Sequence, residues 1–358
     1  MIVSIVAAAA GSVLLSCSQQ KKALTRETFV MGTKAWITIY SGDRSGAEKA
    51  IKDSFRELYR IDAAMSNWKK SSEISILNDS SHGMPVKVSQ ELFALVDSSF
   101  EYSRLTSGAF DITARPLVLL WGFERAGGVE QAGKEDDTGA ERHGEDIDAP
   151  SSKRTPSKKQ IEKTLQRVGY ERVSLNADSL TITIPEGMSL DLAGVAKGYA
   201  IDRCRSIIEA EGFTSALINL GGNIYALGTP PEASGWKVGI RDPRGSADIV
   251  GYLLLKDEAV ATSGDYENFV EINGKRYGHI IDPKTGYPAD GVLSVTVIAP
   301  SGLASDALST GFFVLGPERA EKVAAGLKGV KAVFAVGGKE DTIEYIKLGD
   351  LDGILKLD

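Results

Sequence analysis

An Asn-Gly pair at 273–274 stands between two strand-like runs, "FVEI" before it and "RYGHIIDP" after it. Two consecutive residues that tolerate positive φ are what a tight hairpin turn demands. A hairpin forces its strands to run antiparallel, and this restricts the whole chain. Gly221-Gly222-Asn223 marks another turn, between "SALINL" and "IYALG", and Asn176–Asp178 a third, inside "RVSLNADSLTITIP". Helical patterns interleave with the strands, but the hairpins argue against a doubly wound parallel sheet. The expected fold class is α+β, with mixed, largely antiparallel sheets packed with helices. No tandem repeat occurs, which excludes a solenoid.

Apolar spacing predicts helices over Ser45–Ile61 and Ser89–Thr106. Further helices are expected from Lys158, from Ser189–Asp202 on to about Gly212, over Ser305–Leu315, and over Pro317–Leu327. Thr28–Tyr40 reads as one strand and Met65–Asn78 as a polar loop. The pair Arg115-Pro116 reads as a loop or a helix start. Glu124–Pro156 holds almost no large apolar residue and is expected to be a disordered insertion, with a solvated His143. His82, in "SSHGMP", is expected to be solvated too.

The chain has 358 residues, 42% hydrophobic and 25% charged, enough for one large or two modest domains. Its net charge of −7, without a basic run, excludes a non-specific nucleic-acid surface. Residues 1–16 carry no charged side chain and suit a signal peptide. Leu14-Leu15-Ser16-Cys17 resembles a bacterial lipobox, so Cys17 is the expected lipidation site, with 17–27 as a tether and 28–358 as the functional domain. Only Cys204 then remains, which excludes an intramolecular disulfide; its place on an apolar stripe marks it as core. Two cysteines and three histidines argue against a zinc site.

Three motifs bear chemistry. In "SDALSTGF", Asp306 and Thr310 are four residues apart on a helix and share a face. A carboxylate and a hydroxyl are hard oxygen ligands, suited to Mg²⁺; the plainer reading makes Ser305 a helix cap with Asp306 in the first turn. "YGHIIDPKTGYP" sets His279 ahead of a turn, as a general base or as a loop anchor. In "SLDLAGVAKGYAID", Asp191 ends a strand-like stretch, Gly194 permits close approach, and Lys197 lies in the first helical turns. Helix-start N–H groups and a lysine favour an anion, whereas Asp191 would repel phosphate and suits a hydrogen bond from a base or ribose. Trp68, Phe110, Trp121 and Tyr266 flank these loops and either cover a flat ring or build core.

Taken together, "FVMGT", "MSNWKKSSEISILN", "GAFDITARPLVLLWGF", "LDLAGVAKGYAID", "INLGGN", "ATSGDYENF", "GHIIDPKTGYP" and "SDALSTGFFVLG" resemble, in order, the motifs of the ApbE family. The resemblance spans about residues 25–345, with small departures at Trp68, Arg115 and Ala193. It implies an ApbE-like core related to the T-fold, and an enzyme that moves the FMN moiety of FAD to a Thr or Ser hydroxyl of a partner protein. It implies that Met31, Trp68, Ala109, Phe110, Asp111, Asp191, Lys197 and Ile281 contact FAD, and that Gly194, Asp306 and Thr310 hold Mg²⁺, with Ser309 close by. The acceptor would be a flavoprotein subunit of a membrane electron-transport complex, with the enzyme lipid-anchored at the outer face of the membrane. His279 is the candidate base. Two other readings stay open at this level: an FAD pyrophosphatase, if water replaces the acceptor, and a lipid-anchored FAD-binding protein without catalysis.

Overall fold

The computed structural model describes residues 21–123, 155–244, 248–264, 269–272, 275–338 and 342–357. The signal segment, Cys17, His143, Tyr266 and the insertion as far as residue 154 lie outside the described residues.

Eight strands form the central sheet, in the order β1 (Lys22–Val30), β2 (Thr33–Ser41), β6 (Ala216–Leu220), β7 (Asn223–Leu227), β10 (Glu258–Gly264), β13 (Ser294–Ala299), β14 (Lys331–Gly337) and β15 (Ile343–Leu348). Every neighbouring pair in it is antiparallel, so the fold is α+β. The stretch expected as one strand over Thr28–Tyr40 is a hairpin instead, and β1 begins at Lys22, inside the presumed tether. Met31 and Gly32 make its turn with φ of 52° and 71°. Two positive values suit a hairpin's twist, but a methionine advertises no turn in sequence. Gly221 and Gly222 make the β6–β7 turn the same way, with φ of 61° and 94°. A Cβ on Gly221 would lie 2.6 Å from Thr33 Oγ1, so the two turns pack together at one end of the sheet.

The sheet's two faces bury different partners. Ile224 and Ala226 of β7 pack against Trp236, Val238, Leu253 and Leu255 of a small sheet built from β8 (Trp236–Arg241), β9 (Ile249–Leu255) and β16 (Leu355–Leu357). Tyr225 and Leu227, which point the other way, join the largest core cluster under the helices. That layer contains α1 (Arg44–Met65), α6 (Ala193–Ala210) and α7 (Gly302–Leu315). Asp43 caps α1 by accepting the Gly46 N–H, and Ser301 caps α7 by accepting the Ala304 N–H. Ser305 is therefore not the cap, and Asp306 lies in the second turn of α7, facing α6.

Smaller elements frame the layers. Residues Glu73–Ser80, expected as loop, form α2, capped by Ser72, whose hydroxyl accepts the Ser75 N–H; the polar surface of "SSEISILN" hides Ile74 and Leu77 on one buried face. Helix α3 (Gln90–Leu105) follows its Ser89 cap, and α4 (Arg115–Trp121) opens on the Arg-Pro pair. Helix α5 (Lys158–Leu165) has a capping box, and β3 (Pro85–Lys87), β5 (Thr181–Thr183) and β4 (Ser174–Asn176) form a second small sheet. Strands β11 (Phe269–Ile272) and β12 (Lys275–Gly278) pair as the Asn-Gly signal requires. Helix α8 (Pro317–Ala324) starts on its proline.

Cys204 is wholly buried in α6; burial pushes its thiol up, away from the reactive thiolate. His82 is exposed, as expected.

Candidate active site

Helices α6 and α7 touch backbone to backbone. A Cβ on Gly198 would fall 2.2 Å from the Gly302 carbonyl oxygen, and one on Gly302 would fall 2.4 Å from that of Gly198. Only hydrogen fits at either position. Asp202, one turn beyond Gly198, accepts the N–H groups of Gly302 and Leu303 at 2.6 and 2.9 Å and so caps α7 from α6. Its burial raises the carboxyl's pKa, while those two N–H groups favour the ionised form.

This contact presents Asp306 to α6. The Gly198 N–H donates to Asp306 Oδ2 at 2.8 Å, and the side chain is 5% exposed. Oδ1 has no partner among the described residues. One turn along α7, Thr310 Oγ1 lies 3.5 Å from where a Cβ of Gly194 would stand. Gly194, Asp306 and Thr310 therefore converge. Carboxylate, hydroxyl and main-chain carbonyl are all hard oxygens, so the donor set fits Mg²⁺, which typically takes one or two carboxylates and fills its octahedral shell with other oxygens, water and phosphate among them. No group of three His, Cys, Asp or Glu side chains that could hold a metal occurs among the described residues. Ser309 differs from its neighbours: it donates to the Asp306 carbonyl at 2.9 Å and accepts from Ser263 at 2.9 Å, which ties α7 to β10.

Asp191 ends no strand. Its own N–H donates to the Ile112 carbonyl, so no strand ladder continues through it, and it stands just before α6. Its Oδ1 accepts from Asn67 Nδ2 at 3.1 Å and from the Ala193 N–H at 2.9 Å, while Oδ2 has no partner among the described residues. Asn78 supports this arrangement by donating to Asn67 Oδ1 and to the Leu190 carbonyl. Lys197, half-buried on α6, has no hydrogen-bond or ion-pair partner among the described residues. A cation and a carboxylate oxygen, both without partners among the described residues, thus flank the Gly194 turn.

Comparison with known families matches residues 31–334 to the ApbE family. The chain belongs to the ApbE family. A Haemophilus influenzae protein named FAD:protein FMN transferase is 30% identical over 334 residues, covering 90% of each chain. The crystal structure of an ApbE protein from Thermotoga maritima superimposes with a TM-score of 0.76 at 31% identity, covering 90% of this chain and 96% of that one. A flavin transferase ApbE from Vibrio cholerae gives the same TM-score at 26% identity, covering 93% and 99%.

The remaining residues predicted for the site differ in exposure and surroundings. The Phe110 ring is buried, its Cε2 3.2 Å from where a Gly194 Cβ would stand. Ala109 is buried in the cluster that contains Leu308 and Phe312 of α7. Asp111 is committed to its own loop: its two oxygens accept the Thr113 N–H and hydroxyl and the Tyr170 N–H. Burial raises its pKa against the pull of those bonds. Met31 is half-buried at the β1–β2 turn, and Trp68 is 64% exposed, open to stack on a ring. Trp121 is core, donating to the Gly286 carbonyl at 2.9 Å. Ile281 is buried with Leu117, Trp121 and Ile161, and bridges to Pro288. His279 is half-buried just after β12; its neighbour Ile280 packs into the cluster that includes Leu308 of α7. Sequence reasoning passed over Asn67, Asn78, Asp202 and Ser263. The two asparagines stood inside the quoted "MSNWKKSSEISILN", but their convergence on Asp191 appears only once α2 is folded.

Proposed function

We propose that this chain transfers the FMN moiety of FAD to a Thr or Ser hydroxyl of a partner protein and releases AMP. The observation that carries the reading is the convergence of Gly194, Asp306 and Thr310 at the α6–α7 contact, in a member of a family with relatives named FAD:protein FMN transferase. A site built only to retain FAD has no need of a hard-oxygen metal set beside a lysine that has no partner among the described residues.

The reaction is a phosphoryl transfer, in which a protein chiefly positions groups and stabilises charge. The acceptor hydroxyl oxygen bonds to the FMN-side phosphorus. The bond from that phosphorus to the bridging oxygen breaks, and AMP departs with that oxygen. His279 would take the hydroxyl proton. Lys197 would offset diphosphate charge, and Asp191 Oδ2 would accept a hydrogen bond from the cofactor's ribose or a ring N–H. Trp68 and Met31 would cover a ring, and the buried Phe110 would hold the Gly194 turn in shape. Bound at Gly194, Asp306 and Thr310, Mg²⁺ would supply charge neutralisation on the diphosphate. Cys17 would bear the lipid that places the domain at the membrane's outer face, within reach of a flavoprotein subunit of an electron-transport complex.

The test is AMP release from FAD across a Mg²⁺ titration, for wild type and Asp306→Ala. Wild type should show saturable metal dependence and the variant none. Full metal-dependent release by the variant would remove Asp306 from the site.

A further inference from the structure

Asn223 opens β7 at the Gly221-Gly222 turn and is 4% exposed. Strand alternation puts it on the same face as Tyr225 and Leu227, under the helices. Both α6 and α7 lie over β7. The short connection from α6 to β6, residues 211–215, turns the chain back, so the β6–β7 turn lies toward the N-terminal half of α6, where Gly194 sits. On the adjacent strand Val260 pairs with Ile224, and further along β10 Ser263 reaches Ser309 on the same helix-side face. The hydroxyls here are satisfied within the protein: Ser263 donates to Ser309, which donates to the Asp306 carbonyl. The Asn223 amide is not. Its buried Nδ2 has no hydrogen-bond partner among the described residues. A buried donor without an acceptor is costly, and a fold keeps one where an acceptor arrives from outside.

We propose that Asn223 is a substrate-binding residue, its Nδ2 donating a hydrogen bond to an oxygen of the bound dinucleotide. This rests on the FAD reading above. The buried amide on the helix-side face of β7 distinguishes a ligand whose oxygen reaches the sheet from one held by the helices alone.

The experiment measures FAD affinity by flavin fluorescence in EDTA, where turnover is off, together with the melting temperature of the ligand-free protein. Asn223→Leu keeps the volume and removes the donor. It should weaken FAD binding about tenfold and melt no lower than wild type, because the unpaired amide is gone. Asn223→Asp keeps the shape but cannot donate when ionised; it should weaken binding at least as much, and it serves if the leucine variant does not fold. Riboflavin and ADP as separate probes assign the bond to the ring or to the diphosphate. Wild-type affinity in either folded variant overturns the inference, as does a leucine variant that melts lower and binds FAD normally. A wild-type protein that binds no FAD overturns the functional reading itself, and the inference with it.

Discussion

Gly198→Ala is the sharpest mechanical test of the α6–α7 contact. The new Cβ would stand 2.2 Å from the Gly302 oxygen, 2.6 Å from the Gly302 carbonyl carbon and 2.7 Å from Asp306 Cβ. Carbon–oxygen contacts between packed helices settle at about 3.3–3.6 Å, so the helices must part by ~1 Å. None of these atoms is the far end of a flexible side chain, and no rotamer change relieves the clash. Overpacking of this kind costs about 1–3 kcal/mol, against about 1 kcal/mol gained from alanine's helix propensity. Net destabilisation should therefore be about 0–2 kcal/mol, and the protein should still fold. Function should suffer far more. The Gly198 N–H to Asp306 bond of 2.8 Å lengthens, and Thr310 and Asp306 move together away from Gly194. A misplacement of about 1 Å costs on the order of 10²-fold in rate. The assay is AMP release from FAD with Mg²⁺, run beside urea denaturation, with Gly326→Ala as control because its nearest atom lies at 3.6 Å. Wild-type turnover in Gly198→Ala would refute the claim that this contact sets the site's geometry.

The cap that holds α7 from α6 gives a second expectation. Asp202→Ala leaves the Gly302 and Leu303 N–H groups without their acceptor and should lower stability by about 1–2 kcal/mol in urea titration; an unchanged midpoint would contradict it. A third concerns acid. Hydrogen bonding from Arg60, then from Arg203, holds the Glu57 carboxyl at about 2 against an ordinary 4.5. A depressed carboxyl contributes stability above its unfolded pKa and loses it as pH falls toward the folded value, so the window runs from about 4.5 down to about 2. Glu57→Gln should flatten that limb of the curve, by about 1 kcal/mol or less because the network is near the surface, and identical acid sensitivity in the variant would contradict this. Asn67→Ala removes a donor from Asp191 and should weaken FAD binding without changing the melting temperature by more than a few degrees; unaltered affinity would leave Asp191 without a positioning partner in this role.

The parts of the fold legible in sequence were those whose chemistry is local. Asn273-Gly274 and Gly221-Gly222 announce hairpins because only such residues enter positive φ freely, and they made the antiparallel sheet readable. Met31 takes the same conformation with no such signature, which is why β1 and β2 read as one strand. Helix α2 hid behind a polar surface because two buried apolar residues, Ile74 and Leu77, are too few to set a clear period. At the site, Asp306 and Thr310 were readable as a pair because four residues make one helical turn. Gly194 joined them on family resemblance, but its nearness to Thr310 depends on two helices meeting at Gly198 and Gly302, a long-range fact that no local pattern encodes. The same holds for Asp191, which ended a strand by pattern and proved to be a helix-start residue held by Asn67, itself held by Asn78.

The most direct test of the functional account is the stoichiometry of transfer. Purified protein would be incubated with FAD, Mg²⁺ and a folded acceptor domain that bears the candidate threonine, with covalent flavin read by mass spectrometry and AMP by chromatography. The account predicts one FMN joined to the acceptor for each AMP released, and neither product with Asp306→Ala. AMP release without flavin on the acceptor would make the protein a hydrolase, and intact FAD would make it a carrier; either result would contradict flavin transfer.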